Sequence, residues 1–474
     1  MKKLLLITFF LATFFNFNSF GYAVSLDPPS DPSLGEFRPR LFFTQEFTYG
    51  NSGRNNKNEN FVPTTRLRFG FEYHKDNEIF AYVHFNRRPY TWGDNGKDLS
   101  QDPNANLLIR YAVFEWAMPE TNFRVQMGRL PIVTPYYAFG SSILDGRSDA
   151  INIYGEINEN ISINTAWLRL ASDNEPSFDN NGNYIYKDDD ADAFLLSTKF
   201  DYDTFKIAPW FMYIKKGADV GTKGKPLFSD FAKNYPASTN SYVFATSLEY
   251  SQFSPLTFAL DTVYSQTSYD KKELMHIQPD ASDNVESYLI ASRIKYATDN
   301  GVASLGAWYT PGDNYNEVLQ KNIYNKHAVV LDADFVATSM LFDDNIFGFD
   351  RYNGLRDSVF GTWGLVVEHK NFSFLPKLKH TARLAYIEGT HESPNWTNNS
   401  RPLDKKSTFS PNFNYLVQGD KLVELNFNSY YMLQKNILIA LELGHMWVNF
   451  KDTPDFSGYN DGISRSSLVV LYWF

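Results

Sequence analysis

The sequence predicts an all-β protein, a transmembrane antiparallel β-barrel of eighteen strands. Segments of about ten residues alternate apolar and polar side chains, as strands between lipid and water require. Leu67, Phe69 and Phe71 share one strand face, for example, while Arg66 and Arg68 share the other. The chain contains 41 Phe, 30 Tyr and 9 Trp. After the N-terminus, however, no run approaches the roughly 18 apolar residues of a membrane helix.

The alternation predicts a strand count and a loop pattern. Sixteen strands is the alternative count. Connectors after even-numbered strands are tight and those after odd-numbered strands are long and polar, which is typical of outer-membrane barrels with short periplasmic turns and long external loops. In a soluble β-sandwich or β-helix, nothing would require short turns and long loops to alternate in this way. The predicted strands are 37–49, 61–74, 79–91, 107–118, 122–129, 149–157, 161–171, 191–202, 204–216, 240–252, 256–267, 285–297, 301–310, 357–370, 378–389, 421–432, 437–448 and 463–474.

The N-terminus predicts export. Lys2 and Lys3 precede a short apolar run, and Gly21-Tyr22-Ala23 supplies the small residues that a signal peptidase reads. We therefore expect a signal peptide over 1–23, an N-terminal extension over 24–36 and the barrel over 37–474. These features predict a location in the bacterial outer membrane.

Charge and cysteine content narrow the function further. Removal of the signal peptide lowers the formal net charge from −10 to −12, which argues against a nucleic-acid partner. The chain has no Cys, so no disulfide stabilises the fold. The expected partners are outer-membrane lipid, lipopolysaccharide and small solutes.

The last strand carries an assembly signal. Phe474 ends the chain, and Tyr472, Val470 and Leu468 precede it at alternating positions. This pattern resembles the C-terminal strand that the barrel-assembly machinery reads, which makes that machinery an expected partner through Phe474.

Two blocks of sequence carry family features. The first comprises residues 111–119, 123–128, 142–145 and 157–160, and the second comprises 361–364, 373–375, 380–386 and 389–390. Together they resemble the outer-membrane homotrimeric porins abundant in sulfate-reducing bacteria. The resemblance covers most of the mature chain and implies a trimeric diffusion channel for small solutes.

The N-terminal strands predict a basic pore wall. An arginine facing hydrocarbon at mid-depth costs about 2–4 kcal/mol, so these side chains should point into water. Neighbouring strands of a barrel are also neighbours in space, which places the arginines together. A ladder of ordinary lumen residues that pair with carboxylates such as Glu46 and Glu72 is the alternative. The predicted wall consists of Arg38, Arg40, Arg66, Arg68, Arg88, Arg110 and Arg124.

The stretch between the fifth and sixth strands predicts a constriction. It is too apolar for a solvated loop and too interrupted by Pro131, Pro135, Gly140 and Gly146 for a helix or strand. We expect residues 129–149 to fold into the lumen and face the basic wall, creating a transverse field that biases ion entry. The predicted constriction residues are Arg129, Tyr136, Tyr137, Asp145, Arg147 and Asp149.

The predicted function is therefore a porin, a passive diffusion channel for small hydrophilic solutes with a preference for anions. The alternatives are a substrate-specific channel, with Tyr136, Tyr137, Phe139, Tyr90 and Trp92 as a sugar track, and an adhesin acting through loops 311–356 and 390–420. A barrel enzyme would need a rim histidine with carboxylate or serine partners, and we predict no catalytic residues. The acidic residues 179–192 lack the spacing of a calcium loop, the histidines are scattered, and no metal or cofactor is expected.

Overall fold

A computed structural model gives the structure of the chain. It describes residues 36–51, 59–75, 78–87, 90–91, 107–172, 177–178, 184–185, 190–217, 220, 238–270, 284–313, 326, 328–342, 358–392, 416–451 and 462–473. Within these ranges no helix is long and apolar enough to cross a membrane. The predicted signal peptide, the extension up to residue 35, Arg88, Trp92, residues 179–183 and 187–189, and Phe474 lie outside the described residues.

Eighteen long antiparallel strands build one barrel wall in the part of the chain that the structure describes. They are β1 (Glu36–Asn51), β2 (Glu59–Lys75), β3 (Ile79–Arg87), β4 (Leu107–Ala117), β5 (Phe123–Val133), β6 (Asp145–Asn158), β7 (Ile161–Ser172), β8 (Asp190–Tyr202), β9 (Phe205–Lys216), β10 (Thr239–Tyr250), β11 (Leu256–Tyr269), β12 (Asn284–Thr298), β13 (Gly301–Tyr309), β14 (Thr362–Leu375), β15 (Leu378–Gly389), β16 (Lys421–Gln434), β17 (Ile437–Asn449) and β18 (Ile463–Trp473). A short strand, Tyr90–Thr91, also pairs with β2.

The wall is closed. Each strand pairs with its neighbours in the sequence, and β1 also pairs with β18, from Phe42 opposite Trp473 to Gly50 opposite Arg465. Closure leaves no free sheet edge, which a strand-built protein needs in lipid because unpaired backbone groups are costly there. The predicted all-β barrel of eighteen strands is confirmed, and the count of sixteen is wrong.

The two faces of the wall differ as the alternation predicts. In β14, Leu365 and Val367 are 47% and 57% exposed, whereas Val366 between them is 2% exposed. The outer face of β14 is therefore apolar and exposed, and its inner face is covered by other parts of the chain. Short turns follow the even-numbered strands, as at 159–160, 203–204 and 435–436, so the predicted loop alternation holds.

The difference from the predicted strand bounds that bears on the lumen concerns β5 and β6. The sequence predicted a loop over 129–149, but β5 continues to Val133 and β6 begins at Asp145, which leaves 134–144 as the loop. Pro131 does not end β5, because beyond Arg129 the strand pairs with β6 alone. Proline is tolerated where a strand has a neighbour on one side only.

The apolar core lies inside the barrel. Its buried side chains come from the inner faces of β4 to β18 and from connecting stretches, chiefly those around Phe139 and around Phe335. Phe139, Ile143 and Leu144 of the first stretch are at most 2% exposed, as are Val329 and Leu341 of the second. These stretches fold inward instead of extending outward, and they determine the shape of the lumen.

Candidate functional site

The first inward segment, residues 130–148, is the end of the β5–β6 hairpin. Pairing of β5 with β4 stops at Arg129, and pairing of β6 with β7 stops at Asp149. The two strands stay paired with each other up to Val133 and Asp145. The hairpin therefore leaves the wall at this level.

Wall residues hold the tip of the first inward segment by its backbone. Both carboxylate oxygens of Asp261 on β11 accept N–H groups, from Tyr137 and Ala138, each at 2.8 Å. On β12, Lys295 donates to the Tyr137 carbonyl at 3.1 Å and Arg293 donates to the Ala138 carbonyl at 3.3 Å. The backbone N–H and C=O groups of two consecutive residues are thus satisfied by charged side chains, which make the stronger class of hydrogen bond.

The second inward segment, residues 328–342, belongs to the β13–β14 connection and packs against the first. Asp334 and Phe335 pair in a short antiparallel ladder with Ser141 and Gly140. The Leu331 N–H also donates to the Ile143 carbonyl at 3.0 Å. The two segments therefore form one body across part of the lumen.

A carboxylate on β16 anchors the second segment in the way that Asp261 anchors the first. Glu424 is fully buried and accepts the N–H groups of Met340 and Leu341, at 2.7 and 3.1 Å. Asn426, two residues further along the same face, accepts the Ser339 N–H at 3.2 Å. Buried backbone N–H groups need such partners, so these polar wall residues position the segment.

An aromatic cluster joins both segments to the wall. The Trp308 ring of β13 lies 5.7 Å, between ring centroids, from each of Phe139, Phe335 and Phe342. Gly306 leaves space for the Phe139 ring, since a Cβ atom at residue 306 would lie 2.3 Å from that ring. Aromatic packing of this kind fixes the segments at a defined depth.

The arginines of β2 lie on the inner face of the wall. Arg66 is 7% exposed, whereas Phe61 and Phe71, of opposite strand parity, are exposed on the outer face. Arg68 lies within range of the positive charges of Arg66 and of Arg110 on β4. Arg147 of the first inward segment also acts on Arg68. Arg147 of the hairpin and the arginines of β2 and β4 therefore lie within electrostatic range of one another.

Three other arginines of the predicted wall are paired with carboxylates. Arg40 lies 2.9 Å from Glu72, and Arg124 binds Glu115. Arg38 pairs with Glu36 at the exposed start of β1. The alternative of local pairing therefore describes these three positions.

The structure separates Arg129 and Asp149 from the constriction, where the sequence analysis had placed them. The two side chains lie 3.5 Å apart at the level where the hairpin leaves the wall. They share a strand face with Met127 and Ile151, which are exposed on the outer surface. Strand parity thus points Arg129 and Asp149 outward.

The other four predicted constriction residues lie on the first inward segment, and they differ in how far they are buried. Asp145 and Arg147 are half-buried and share a face with Val133, which is 43% exposed. Tyr136 is also exposed, but burial and the charges of Asp201, Glu249 and Asp261 raise the pKa of Tyr137 to about 12. The Tyr137 side chain therefore stays neutral. The backbone contacts with Asp261 and Lys295 place Tyr137 on the anchored side of the segment.

Sequence reasoning missed the second inward segment, although a signal for it exists. Residues 328–342 read AVVLDADFVATSMLF, an apolar stretch inside a long connection. The argument that an external loop should not be this apolar predicted the first inward segment, and it applies equally here. The anchoring side chains Asp261 and Glu424 carried no such signal.

The chain was also compared with known proteins. No protein-family model and no curated protein sequence matches it. Solved structures do match in fold. They include OccAB4 of Acinetobacter baumannii (TM-score 0.53, 10% identity, 94% of this chain and 100% of that chain), the outer membrane protein OprD of Pseudomonas aeruginosa (0.52, 10%, 94% and 96%) and OccD3 (OpdP) of the same species (0.51, 14%, 94% and 95%). The fold is therefore that of outer-membrane β-barrels of the OprD and Occ type.

Proposed function

We propose that this chain is a bacterial outer-membrane channel that selects small anionic solutes. The side chains that anchor the two inward segments lie on β11, β12 and β16, away from the strands that carry the basic wall, so we expect a passage along the wall of β1 to β4. A lumen narrowed by two anchored segments favours a substrate-selective channel over a general diffusion pore. The similarity in fold to OprD and the Occ proteins supports the same choice.

A cluster of arginines carries this proposal. Arg66 and Arg110 of the wall and Arg147 of the first inward segment are all close enough to Arg68 for their positive charges to act on it. Positive charges around a narrow, low-dielectric passage attract anions and repel cations. A sugar track is less well supported, because Phe139 is buried in the aromatic cluster and Tyr137 is anchored to the wall.

We predict that the double substitution R66A/R68A shifts the ion preference toward cations. Removing two positive charges from the narrow part weakens the field that anions experience. The reversal potential of a single channel in a KCl gradient measures this. The matched control is Arg38→Ala, which removes an arginine paired with Glu36 at the exposed end of β1, and it should leave the reversal potential unchanged. An unaltered potential in R66A/R68A would contradict the proposal.

We also propose that three copies assemble in the outer membrane, in contact with lipid and lipopolysaccharide. The resemblance of residues 111–128 and 361–390 to homotrimeric porins supports this assembly. A trimer predicts that the unheated protein migrates at about three times the mass of the heated protein on a denaturing gel, as stable barrels resist detergent until heated. Currents should then increase in steps of three. A single mass with unitary steps would show that the channel is monomeric.

A further inference from the structure

A chain of charged side chains runs along the inner wall beneath both inward segments. Lys295 of β12 lies 3.0 Å from Glu249 of β10, and Glu249 lies 3.4 Å from Lys206 of β9. Two residues from Lys295, on the same strand face, Arg293 binds Glu368 of β14. Glu368 in turn accepts from the Arg383 Nε on β15 at 2.9 Å.

The two arginines that bind Glu368 each contact a different inward segment. Arg293 donates to the Ala138 carbonyl of the first segment at 3.3 Å. Arg383 donates to the Ser339 hydroxyl of the second segment, also at 3.3 Å. The carboxylate of Glu368 binds both of these guanidinium groups.

Glu368 is also the most deeply buried residue of this charged chain. Its side chain is 2% exposed and that of Arg383 is 3% exposed. A buried carboxylate between two guanidinium groups cannot lose its charge without leaving both cations uncompensated, so both would move toward water or toward new acceptors. Either movement breaks a contact to an inward segment.

We propose that Glu368 is a positioning residue that connects both inward segments to the wall. Through Glu368 the two segments hold their positions in the constriction jointly rather than independently. The inference rests on the proposed channel function, because it concerns the residues that narrow the passage. The short ladder between the segments joins them directly, and Glu368 adds a second connection through the wall.

Thiol accessibility tests this inference, because the chain has no native cysteine. Ala138 and Ala337 are 4% and 1% exposed, so A138C and A337C report on the first and second segments with small changes in volume. The rate at which a positively charged methanethiosulfonate reagent blocks the current of each reporter measures how often its segment leaves the wall. E368Q, which keeps the side-chain shape, should raise both rates about tenfold and by similar factors.

Two matched carboxylate substitutions serve as controls. Glu249→Gln removes a partner of Lys295, which contacts the first segment only, and Glu424→Gln removes the anchor of the second segment only. Each should raise the rate of its own reporter about fivefold more than that of the other. A similarly one-sided result for E368Q, or unchanged rates, would overturn the inference.

A milder variant covers the case in which E368Q does not fold. Glu368→Asp keeps the charge but is one methylene too short to reach both guanidinium groups, so it should raise both rates by a smaller and again similar factor. Modification rates equal to those of the reporter proteins that retain Glu368 would overturn the inference. If the reporter proteins carry no current before modification, the channel function itself fails, which is a distinguishable outcome.

Discussion

Replacing residues 328–342 with a glycine-serine linker of the same length is expected to raise the single-channel conductance about threefold, because the open cross-section controls ion flow through a water-filled barrel. The second inward segment occupies the lumen through Phe335, Met340 and Leu341, all of them buried. A linker without these side chains cannot be held by Glu424 and the aromatic cluster. Single-channel recording in planar bilayers measures the change.

The same replacement should weaken ion preference. A wider passage lets ions travel more than one Debye length, about 10 Å at 0.1 M salt, from the arginine wall. The control is Glu424→Gln, which loosens one anchor while the segment remains, so its conductance should stay well below that of the linker variant. If the linker variant still forms a heat-modifiable barrel and its conductance is unchanged, the second inward segment does not narrow the passage.

The barrel wall could be predicted from the sequence because a strand between lipid and water must alternate with a period of two. Residues 421–432, for example, were predicted as a strand, and β16 runs over Lys421–Gln434. The same alternation puts the polar residues of that strand, Glu424 and Asn426, on the lumen face. Which backbone N–H groups they meet there could not be predicted, because those groups belong to a connection about 85 positions earlier in the chain.

Where a hairpin leaves the wall, strand parity no longer predicts whether a side chain points into the lumen or outward. Arg129, Arg147 and Asp149 share a face in sequence terms, and the sequence analysis placed all three in the constriction. In the structure Arg129 and Asp149 lie at the level where neighbouring strands still pair, so their face points outward. Arg147 lies beyond that level, on the part of the hairpin that has left the wall, and its positive charge acts on Arg68. Parity tells which residues share a face, but the direction of that face depends on where pairing with the next strand ends.

Substituting Trp308 with alanine is expected to lower the free energy of unfolding by about 3–5 kcal/mol, the usual cost of removing a buried tryptophan ring. Trp308 is 3% exposed, and its indole N–H donates to the Thr362 hydroxyl at 3.1 Å. Its ring contacts both inward segments, so the cavity should also loosen the constriction and increase the noise of the open-channel current.

Urea unfolding followed by gel mobility measures the stability of the Trp308→Ala variant, and bilayer recording measures its noise. The matched control is Trp447→Ala, on the outer face of β17, where the ring is 46% exposed. It should cost less and leave the current noise unchanged, because no inward segment packs on the outer face. Equal losses of stability with quiet currents in both variants would mean that the aromatic cluster supports the wall alone. Increased noise confined to Trp308→Ala would mean that one side chain links barrel stability to the geometry of the passage.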